Sequence, residues 1–182
     1  MSAQPSVRAF DVGSTTLRPA NHAVDAEGLK HALRALGGGV SIITAGEGDT
    51  RTGATVTSAT GLSIEPPRMI VTLNRSSSTF PVVERYGHFC VNVVGQDHET
   101  LANQFAGRDG LKGAERYRGA EWIRLVSGAP VLEAAVAAID CEVEEVIERH
   151  SHAIVLGRVV GIRFGDGASL VYRGGRYYAV GG

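Results

Sequence analysis

The sequence predicts a mainly β fold, a small barrel with peripheral helices. Segments with the apolar or alternating pattern of short strands recur from Val40 to Val180, whereas only three segments show helical periodicity. The chain also has 24 glycines among its 182 residues, which suits many tight turns between short strands. Many strands with few helices favour a barrel whose helices lie at its rim.

Length and composition indicate a single domain and give no sign of a nucleic-acid or membrane partner. Hydrophobic residues make up 43% of the chain, enough for a core, and the net charge is only -1. Such a balance gives no electrostatic reason to expect a nucleic-acid or membrane surface. No apolar run is long enough to span a bilayer, and the N-terminus lacks the pattern of a signal peptide. The two cysteines, Cys90 and Cys141, lie in apolar strands, so we expect buried free thiols in a cytoplasmic protein.

The N-terminal part of the chain predicts a tail and then a helix. Residues 1–24 are polar and aperiodic, so we expect a flexible tail, or an arm lying on a partner subunit, followed by one domain at residues 25–182. Asp25 can cap a helix whose apolar face carries Leu29, Ala32, Leu33 and Leu36. The three glycines at residues 37–39 end this helix.

The next segments alternate between strands and one helix. Strands are predicted at residues 40–44, 52–63, 69–73 and 88–94, with a hairpin turn at residues 46–49. The Glu65-Pro66-Pro67 sequence ends the second strand, because proline cannot donate to a ladder. Ser78 or Thr79 can cap a helix through Phe80, Val83 and Tyr86, with Pro81 in its first turn.

The second half of the chain predicts one more helix and four further strands. Asp97 can cap a helix with Leu101, Ala102, Phe105 and Ala106 inward, and residues 108–119 read as a mobile charged loop. Residues 131–148 favour one long strand, with a helix as the alternative for residues 133–138. Residues 152–164 predict another long strand, and residues 169–172 and 176–180 a terminal hairpin.

Two neighbouring segments carry the chemistry of a candidate cofactor site. In a strand, Thr55 and Thr57 share one face while Val56 and Ser58 share the other. Backbone amides there can meet the oxygens of a flat heterocycle while hydroxyls reach a polyol, although threonine is also simply common in strands. The loop before the second helix supplies hydroxyls, amides and one guanidinium, which together predict a phosphate site: Asn74, Arg75, Ser76, Ser77, Ser78 and Thr79.

Other chemistries have little support in the sequence. The chain has no G-x-G-x-x-G between a strand and a helix, no P-loop, no G-x-S-x-G and no zinc motif. His150 and His152 have strand spacing but lack obvious further ligands, so no metal is expected. Glu142, Glu144, Glu145 and Glu148 are interpreted as a solvated strand face.

In these motifs the chain resembles the flavin reductase-like family, the small reductase components of two-component flavin-dependent monooxygenases. The resemblance covers residues 29–180. It rests on motifs in this order: Gly53-Ala54-Thr55-Val56-Thr57-Ser58, Ser63-Ile64-Glu65-Pro66-Pro67, Asn74-Arg75-Ser76-Ser77-Ser78-Thr79, Phe89-Cys90-Val91-Asn92-Val93, Leu101-Ala102-Asn103-Gln104-Phe105-Ala106 and Leu170-Val171-Tyr172-Arg173-Gly174-Gly175-Arg176-Tyr177.

The resemblance implies an FMN-binding split β-barrel, a Greek-key barrel, in which NADH or NADPH reduces FMN or FAD. Reduced flavin would then pass to a partner monooxygenase, and the reductase would be a homodimer. By this resemblance residues 55–58 contact the flavin ring and ribityl chain, and residues 74–79 the ring edge and phosphate. Gln104, Phe105 and Ala106 would lie near the phosphate end. No catalytic side chain is expected, because the two cofactors carry the chemistry.

One motif departs from the family pattern. Where the family often has Gly-Asp-His for nicotinamide binding, this chain has His150-Ser151-His152. The resemblance therefore carries a nicotinamide role to His152 but no acidic role to Ser151. Tyr172, Arg173 and Tyr177 would line the nicotinamide side. A pyridoxamine-phosphate-oxidase-like flavoenzyme and a non-catalytic flavin-binding module are the two alternatives.

Overall fold

A computed structural model describes residues 25–181, so the predicted tail at residues 1–24 lies outside the described part of the chain. The chain divides after Leu33, and the two parts are described separately. Helix α1 (Ala26–Leu33) begins as predicted, with the Gly28 amide donating to Asp25 Oδ1 at 2.6 Å. No residue of α1 is buried, and Leu29 and Leu33 on its apolar face are more than half exposed.

The remaining chain is mainly strand, as predicted. The two further α-helices are α2 (Phe80–Tyr86) and α3 (Glu99–Phe105). The strands are β1 (Gly38–Gly39), β2 (Ser41–Ala45), β3 (Thr52–Val56), β4 (Thr60–Ser63), β5 (Arg68–Asn74), β6 (His88–Val93), β7 (Trp122–Arg124), β8 (Pro130–Leu132), β9 (Ala137–Arg149), β10 (His152–Phe164), β11 (Ser169–Arg173) and β12 (Arg176–Val180). None of the described helices is long and apolar enough to cross a membrane.

Seven strands form one antiparallel sheet in the order β3-β2-β6-β9-β10-β5-β4. Its two edge strands, β3 and β4, are consecutive in the chain and joined by residues 57–59 alone. Four Cα-to-Cα steps span at most about 14 Å, so the sheet must curl until its edges approach. The result is a barrel that stays split between β3 and the opposite edge, which β4 and the uncovered end of β5 form, and this confirms the predicted fold class.

Two smaller sheets flank the barrel. The C-terminal hairpin β11-β12 pairs through β11 with β1, and β7 pairs with β8. Gly38 pairs with Tyr172, so two of the glycines predicted to stop the first helix form a short strand instead, and that helix ends earlier, at Leu33. Strand β7 was not predicted from the sequence.

Three predicted elements differ from the structure. The strand predicted at residues 52–63 is two strands, because the chain crosses the split at residues 57–59. The strand predicted at residues 131–148 is also interrupted, and residues 133–136 form neither strand nor helix. The predicted mobile loop at residues 108–119 contains a 3-10 helix (Gly113–Tyr117) with Tyr117 buried at 2% exposure.

The core has two parts, one on each side of the sheet. One fills the barrel and is closed by helix α2; its buried members include Ile43, Val71, Phe80, Val83, Phe89 and Val155. The other lies beneath helix α3; its buried members include Val40, Ile42, Leu101, Phe105, Tyr117 and Leu132. Ile42 and Ile43 fall in different clusters, so both faces of β2 are covered, which explains its unbroken burial.

Candidate functional site

The outer edge of β3 is capped at its start and open at its end. In the described part of the chain β3 pairs with β2 alone. Tyr117 donates from its hydroxyl to the Thr52 carbonyl at 2.6 Å, and Arg116 Nη1 donates to the Gly53 carbonyl at 2.7 Å. The following residues, 55–57, line a cleft instead. A flat ligand with carbonyl and N–H groups can pair with this strand end as another strand would.

The cleft has a volume of about 240 Å³ and brings together three distant parts of the chain. Its lining comes from the end of β3, from the residues after α3, and from the C-terminal hairpin: Thr55, Val56, Thr57, Ala106, Tyr172 and Tyr177. Gly38 allows the hairpin sheet to approach, because a Cβ at this position would lie 2.8 Å from Thr57 Cβ. All six of these residues were predicted as flavin or nicotinamide ligands, and the structure brings them together around one cleft.

The predicted hydroxyls are held in different directions. Thr55 Oγ1 donates to the Ala102 carbonyl of helix α3 at 2.6 Å, and Ser58 Oγ donates to the Thr72 carbonyl of β5 at 2.9 Å. Val56 packs against the barrel core, while Thr57 is exposed. A hydroxyl that donates one hydrogen bond keeps its acceptor lone pairs, so Thr55 and Ser58 remain able to accept from a ligand.

The hydroxyl strand and the serine loop lie next to each other. Thr72, which accepts the Ser58 hydrogen bond, precedes Asn74 by two residues, about 7 Å along a strand. The bond crosses the split of the barrel, because Ser58 leaves the β3 edge and Thr72 belongs to β5. One ligand can therefore reach both segments.

The serine loop is held by its own side chains. Asn74 Oδ1 accepts from the Ser76 amide at 2.9 Å and from the Ser76 hydroxyl at 2.8 Å, and the Asn74 carbonyl accepts from the Ser77 amide at 3.0 Å. Ser77 Oγ, rather than Ser78 or Thr79 as predicted, accepts from the Phe80 amide at 3.3 Å. The predicted hydroxyl of Thr79 is fully buried and so cannot meet a ligand, whereas Ser76 and Ser78 are exposed.

The guanidinium of Arg75 already has partners in the protein. It pairs with Glu148 at 2.5 Å and donates to the His150 carbonyl at 3.1 Å. Two of the carboxylates interpreted as a solvated face, Glu142 and Glu144, are likewise paired, with Arg158 and Arg68. A phosphate at the serine loop would have to compete with Glu148 for Arg75.

The predicted nicotinamide ligands separate into two places. His152 begins β10 beside Asn74, with which it pairs in register, and its Nδ1 lies 2.9 Å from Ser151 Oγ. Tyr172 and Tyr177 line the cleft, with ring centroids 5.0 Å apart. Arg173 is exposed and donates to the Ala35 carbonyl at 3.1 Å. Among the described residues, no group of three His, Cys, Asp or Glu side chains could hold a metal ion.

Only one of the three residues predicted on α3 lines the cleft. Phe105 is a core residue, 1% exposed, with its ring 5.0 Å from that of Tyr117 and 5.6 Å from that of Trp122. Gln104 borders a separate cavity of about 380 Å³, and its buried Oε1 has no partner among the described residues. Gln104 and Phe105 therefore do not line this cleft, whereas Ala106, which follows the helix, does; their place near the phosphate end stays a prediction.

Sequence reasoning missed Arg108, which also lines the cleft. Its Nη2 lies 3.4 Å from the Tyr172 hydroxyl, and its guanidinium carbon lies 5.9 Å from the centre of the Tyr177 ring. Burial raises the pKa of Tyr177, with Arg108 acting in the opposite direction, so its hydroxyl stays protonated and donates to Asn103 Oδ1 at 3.2 Å. The position of Arg108, two residues after Ala106, could have indicated a role at the site. It was not recognised because residues 108–119 were interpreted as a mobile loop.

The site thus combines an open strand edge, several hydroxyls, two tyrosines and one cation. These groups suit a flat heterocycle with a polar, anionic tail. No side chain among those lining the cleft is arranged as an acid or base next to a nucleophile. The arrangement can bind and orient redox cofactors but does not resemble a hydrolytic site.

The chain is similar to known proteins over most of its length. The model of the flavin reductase like domain matches residues 33–181. The chain is 37% identical to FMN reductase (NADH) RutF 2 of Methylorubrum extorquens (strain PA1) over 158 residues, which are 87% of this chain and 91% of that relative.

Solved structures of flavin reductases are also similar to this chain. The NADH:FAD oxidoreductase SgcE6 of Streptomyces globisporus C-1027, in complex with NAD and FAD fragments, is 25% identical with a TM-score of 0.76, covering 86% of this chain and 95% of that one. BorF, the flavin reductase component of a bacterial two-component tryptophan halogenase, is 25% identical with a TM-score of 0.78, covering 86% of this chain and 98% of that one.

Proposed function

Since the chain belongs to the family of flavin reductase-like domains, we propose that it is a flavin reductase, which uses NADH or NADPH to reduce FMN or FAD for a partner monooxygenase. The observation that carries the proposal is the cleft at the open end of β3, where six predicted ligands come together. Relatives named as FMN reductase (NADH) favour FMN and NADH as this chain's own pair. The reductase component of a two-component halogenase favours transfer of reduced flavin to a separate enzyme.

The residues present fit a flavin. The edge groups of β3 near Thr55 are placed to pair with the heteroatoms of a flavin ring, and the hydroxyls of Thr57 and Ser58 are near enough to the split to meet a polyol chain. Gly38 allows β1 to pack directly against Thr57, since a Cβ there would lie 2.8 Å from Thr57 Cβ. When bound, the flavin accepts hydride from the reduced nicotinamide, so the redox chemistry belongs to the two small molecules.

The protein's part is to position two flat rings and exclude water. Tyr172 and Tyr177 offer aromatic surface to a nicotinamide lying over the flavin, and β3 amides offer hydrogen bonds to charge that develops on the flavin ring. At the other end, the exposed groups of Ser76 and Ser78, together with Asn74 and Arg75, are proposed to hold the phosphate. His152, beside Asn74, is proposed to meet the nicotinamide nucleotide.

We further propose that a second copy of the chain completes the site in a homodimer. The cleft of about 240 Å³ is smaller than the roughly 300–1,000 Å³ typical of pockets for drug-sized ligands. FMN or FAD bound together with a dinucleotide requires more volume and more contact surface than this cleft provides. Phe164 and Ile64, which are 80% and 85% exposed, offer apolar surface for such an interface.

The central test is an assay of nicotinamide oxidation by the purified protein. We expect the protein to oxidise NADH in the presence of excess FMN. The loss of nicotinamide absorbance under anaerobic conditions measures this reaction. Flavin binding without nicotinamide oxidation would contradict the proposal and favour a binding module. Light scattering of the same sample should give twice the monomer mass, and a monomer would contradict the homodimer.

A further inference from the structure

Among the described residues, Arg108 is the one charged side chain that lines the cleft. Resting on the proposed flavin reductase function, we propose that it binds the pyrophosphate of the nicotinamide dinucleotide. The other lining residues are apolar, hydroxyl-bearing or phenolic. Within residues 25–181, the lining of the cleft therefore contributes a single positive charge and no carboxylate. A cleft of that kind selects an anionic ligand.

The guanidinium of Arg108 is held in place by the two tyrosines. Its Nη2 lies 3.4 Å from the Tyr172 hydroxyl, and its carbon lies 5.9 Å from the Tyr177 ring centre, within the range of a cation–π contact. Its backbone amide donates to the Asn103 carbonyl at 3.2 Å, directly after the turn at Gly107, where φ is +77°. A guanidinium fixed in this way loses little conformational freedom when it meets a ligand.

Two other arginines near the site are committed elsewhere. Arg75 pairs with Glu148, and Arg173 donates to the Ala35 carbonyl. Arg108 forms no ion pair with any carboxylate in the described part of the chain. Its charge is therefore available to a ligand without displacing a protein carboxylate.

The position of Arg108 favours the dinucleotide over the flavin phosphate. Tyr172 and Tyr177 provide the aromatic surface proposed for the nicotinamide, and Arg108 contacts both of them. Arg108 is exposed, so its guanidinium can meet the pyrophosphate of a dinucleotide whose nicotinamide lies on the two tyrosines. The planar fork of a guanidinium matches two phosphate oxygens at once.

The test compares donors with and without phosphates, using the protein loaded with FMN. We expect Arg108→Gln to raise KM for NADH about tenfold, as for the loss of a charge-assisted hydrogen bond, while kcat stays close to its original value. The same variant should leave the rate with N-benzyl-dihydronicotinamide, which has no phosphate, unchanged. Arg108→Lys should restore part of the NADH affinity, because it keeps the charge but not the fork.

A binding measurement separates recognition from turnover. Calorimetry with ADP-ribose, which carries the pyrophosphate but no nicotinamide, should show Kd raised about tenfold in Arg108→Gln. Arg124→Gln, which removes an exposed arginine on β7, is the matched control and should leave both measurements unchanged.

Two outcomes would overturn the assignment, and a third concerns the function itself. Equal KM and Kd values in Arg108→Gln and Arg124→Gln would show that Arg108 does not recognise the dinucleotide. A weaker affinity for FMN, but not for NADH or ADP-ribose, would move the contact to the flavin phosphate and equally overturn it. If the original protein oxidises neither donor, the proposed reductase function fails, and the ADP-ribose result then decides on Arg108 alone.

Discussion

The Ser58 hydroxyl donates a hydrogen bond of 2.9 Å to the Thr72 carbonyl, which ties the end of the hydroxyl strand to the strand that leads into the serine loop. Because this bond crosses the split of the barrel, it sets the spacing of the two segments proposed to hold one flavin. We expect Ser58→Ala to weaken FMN binding about fivefold, corresponding to about 1 kcal/mol for a net hydrogen bond. Quenching of flavin fluorescence measures this, and Ser63→Ala on β4 serves as the control. Unchanged affinity in Ser58→Ala would show that the bond does not organise the site.

The ion pair between Arg75 and Glu148 gives a test of the proposed phosphate site. We expect Glu148→Gln to tighten FMN binding by about two- to fivefold, because the freed guanidinium can then pair with a phosphate. Riboflavin, which has no phosphate, should bind both proteins equally. Glu142→Gln, which removes the partner of Arg158, is the matched control. Equal tightening for riboflavin would place the phosphate elsewhere.

Two adjacent glycines of β1 provide a matched pair of substitutions that test the close approach of β1 to Thr57. A Cβ at Gly38 would lie 2.8 Å from Thr57 Cβ, whereas a Cβ at Gly39 would have nothing within 4 Å. We expect Gly38→Ala to displace Thr57, costing about 1–3 kcal/mol in flavin affinity and stability together. Gly39→Ala should change either by less than about 0.5 kcal/mol. Binding titrations and chemical denaturation of both variants check this, and similar losses would contradict the role of the close approach.

The buried amide of Asn92 joins three strands. Its Nδ2 donates to the Ile42 carbonyl at 2.9 Å and to Thr44 Oγ1 at 3.1 Å, and its Oδ1 accepts from the Leu132 amide at 2.7 Å. We expect Asn92→Leu to lower the free energy of unfolding by about 3 kcal/mol or more, since it leaves buried partners unsatisfied. Urea denaturation measures the loss, and a loss below about 1 kcal/mol would mean that water or repacking replaces the amide.

The buried thiols predict a fall of stability at alkaline pH. Burial, with a contribution from the Asp140 charge, raises the pKa of Cys141 from 9.0 to about 12, and burial raises that of Cys90 as well. Between these two pKa values the thiol binds fewer protons in the unfolded chain than in the folded chain, so its contribution to stability is constant below about pH 9 and falls above it. The slope from one thiol is at most about 1.4 kcal/mol per pH unit.

Replacement of one thiol tests this origin. Cys141→Ala should make the decline in unfolding free energy above pH 9 less steep, while leaving the pH dependence below that value unchanged. Denaturant titrations under reducing conditions at several alkaline pH values measure the slope. An unchanged slope in Cys141→Ala would assign the alkaline loss to other groups.

Local patterns in the sequence were sufficient for the long elements. The predicted strand at residues 152–164 has the bounds of β10, and helix α2 begins and ends close to its predicted residues. Alternation over many residues and proline in a first helical turn are local signals, so tertiary contacts were not needed to read them. The hydroxyl strand and the serine loop were likewise identified from residue types alone.

Contacts between distant residues decided what local patterns could not. The pattern from Thr52 to Ser63 favours one strand, yet the chain leaves one edge of the sheet after Val56 and joins the opposite edge at Thr60. Phe105 belongs to a motif of the family but packs against Tyr117 and Trp122 in the core. Residue spacing predicts neither the end of β3 nor the burial of Phe105, because both depend on contacts with residues that are distant in the sequence.

The sequence by itself determined the fold class, the family and the two polar segments, because these depend on residue type and on periods of a few residues. Only the tertiary structure decided which side chains share the cleft. It added Arg108, brought in Tyr172 and Tyr177 from the end of the chain, and removed Thr79 and Phe105 into the interior. The reason is that the pairing of the C-terminal hairpin with β1 joins residues more than a hundred positions apart, and no local pattern records such a distance.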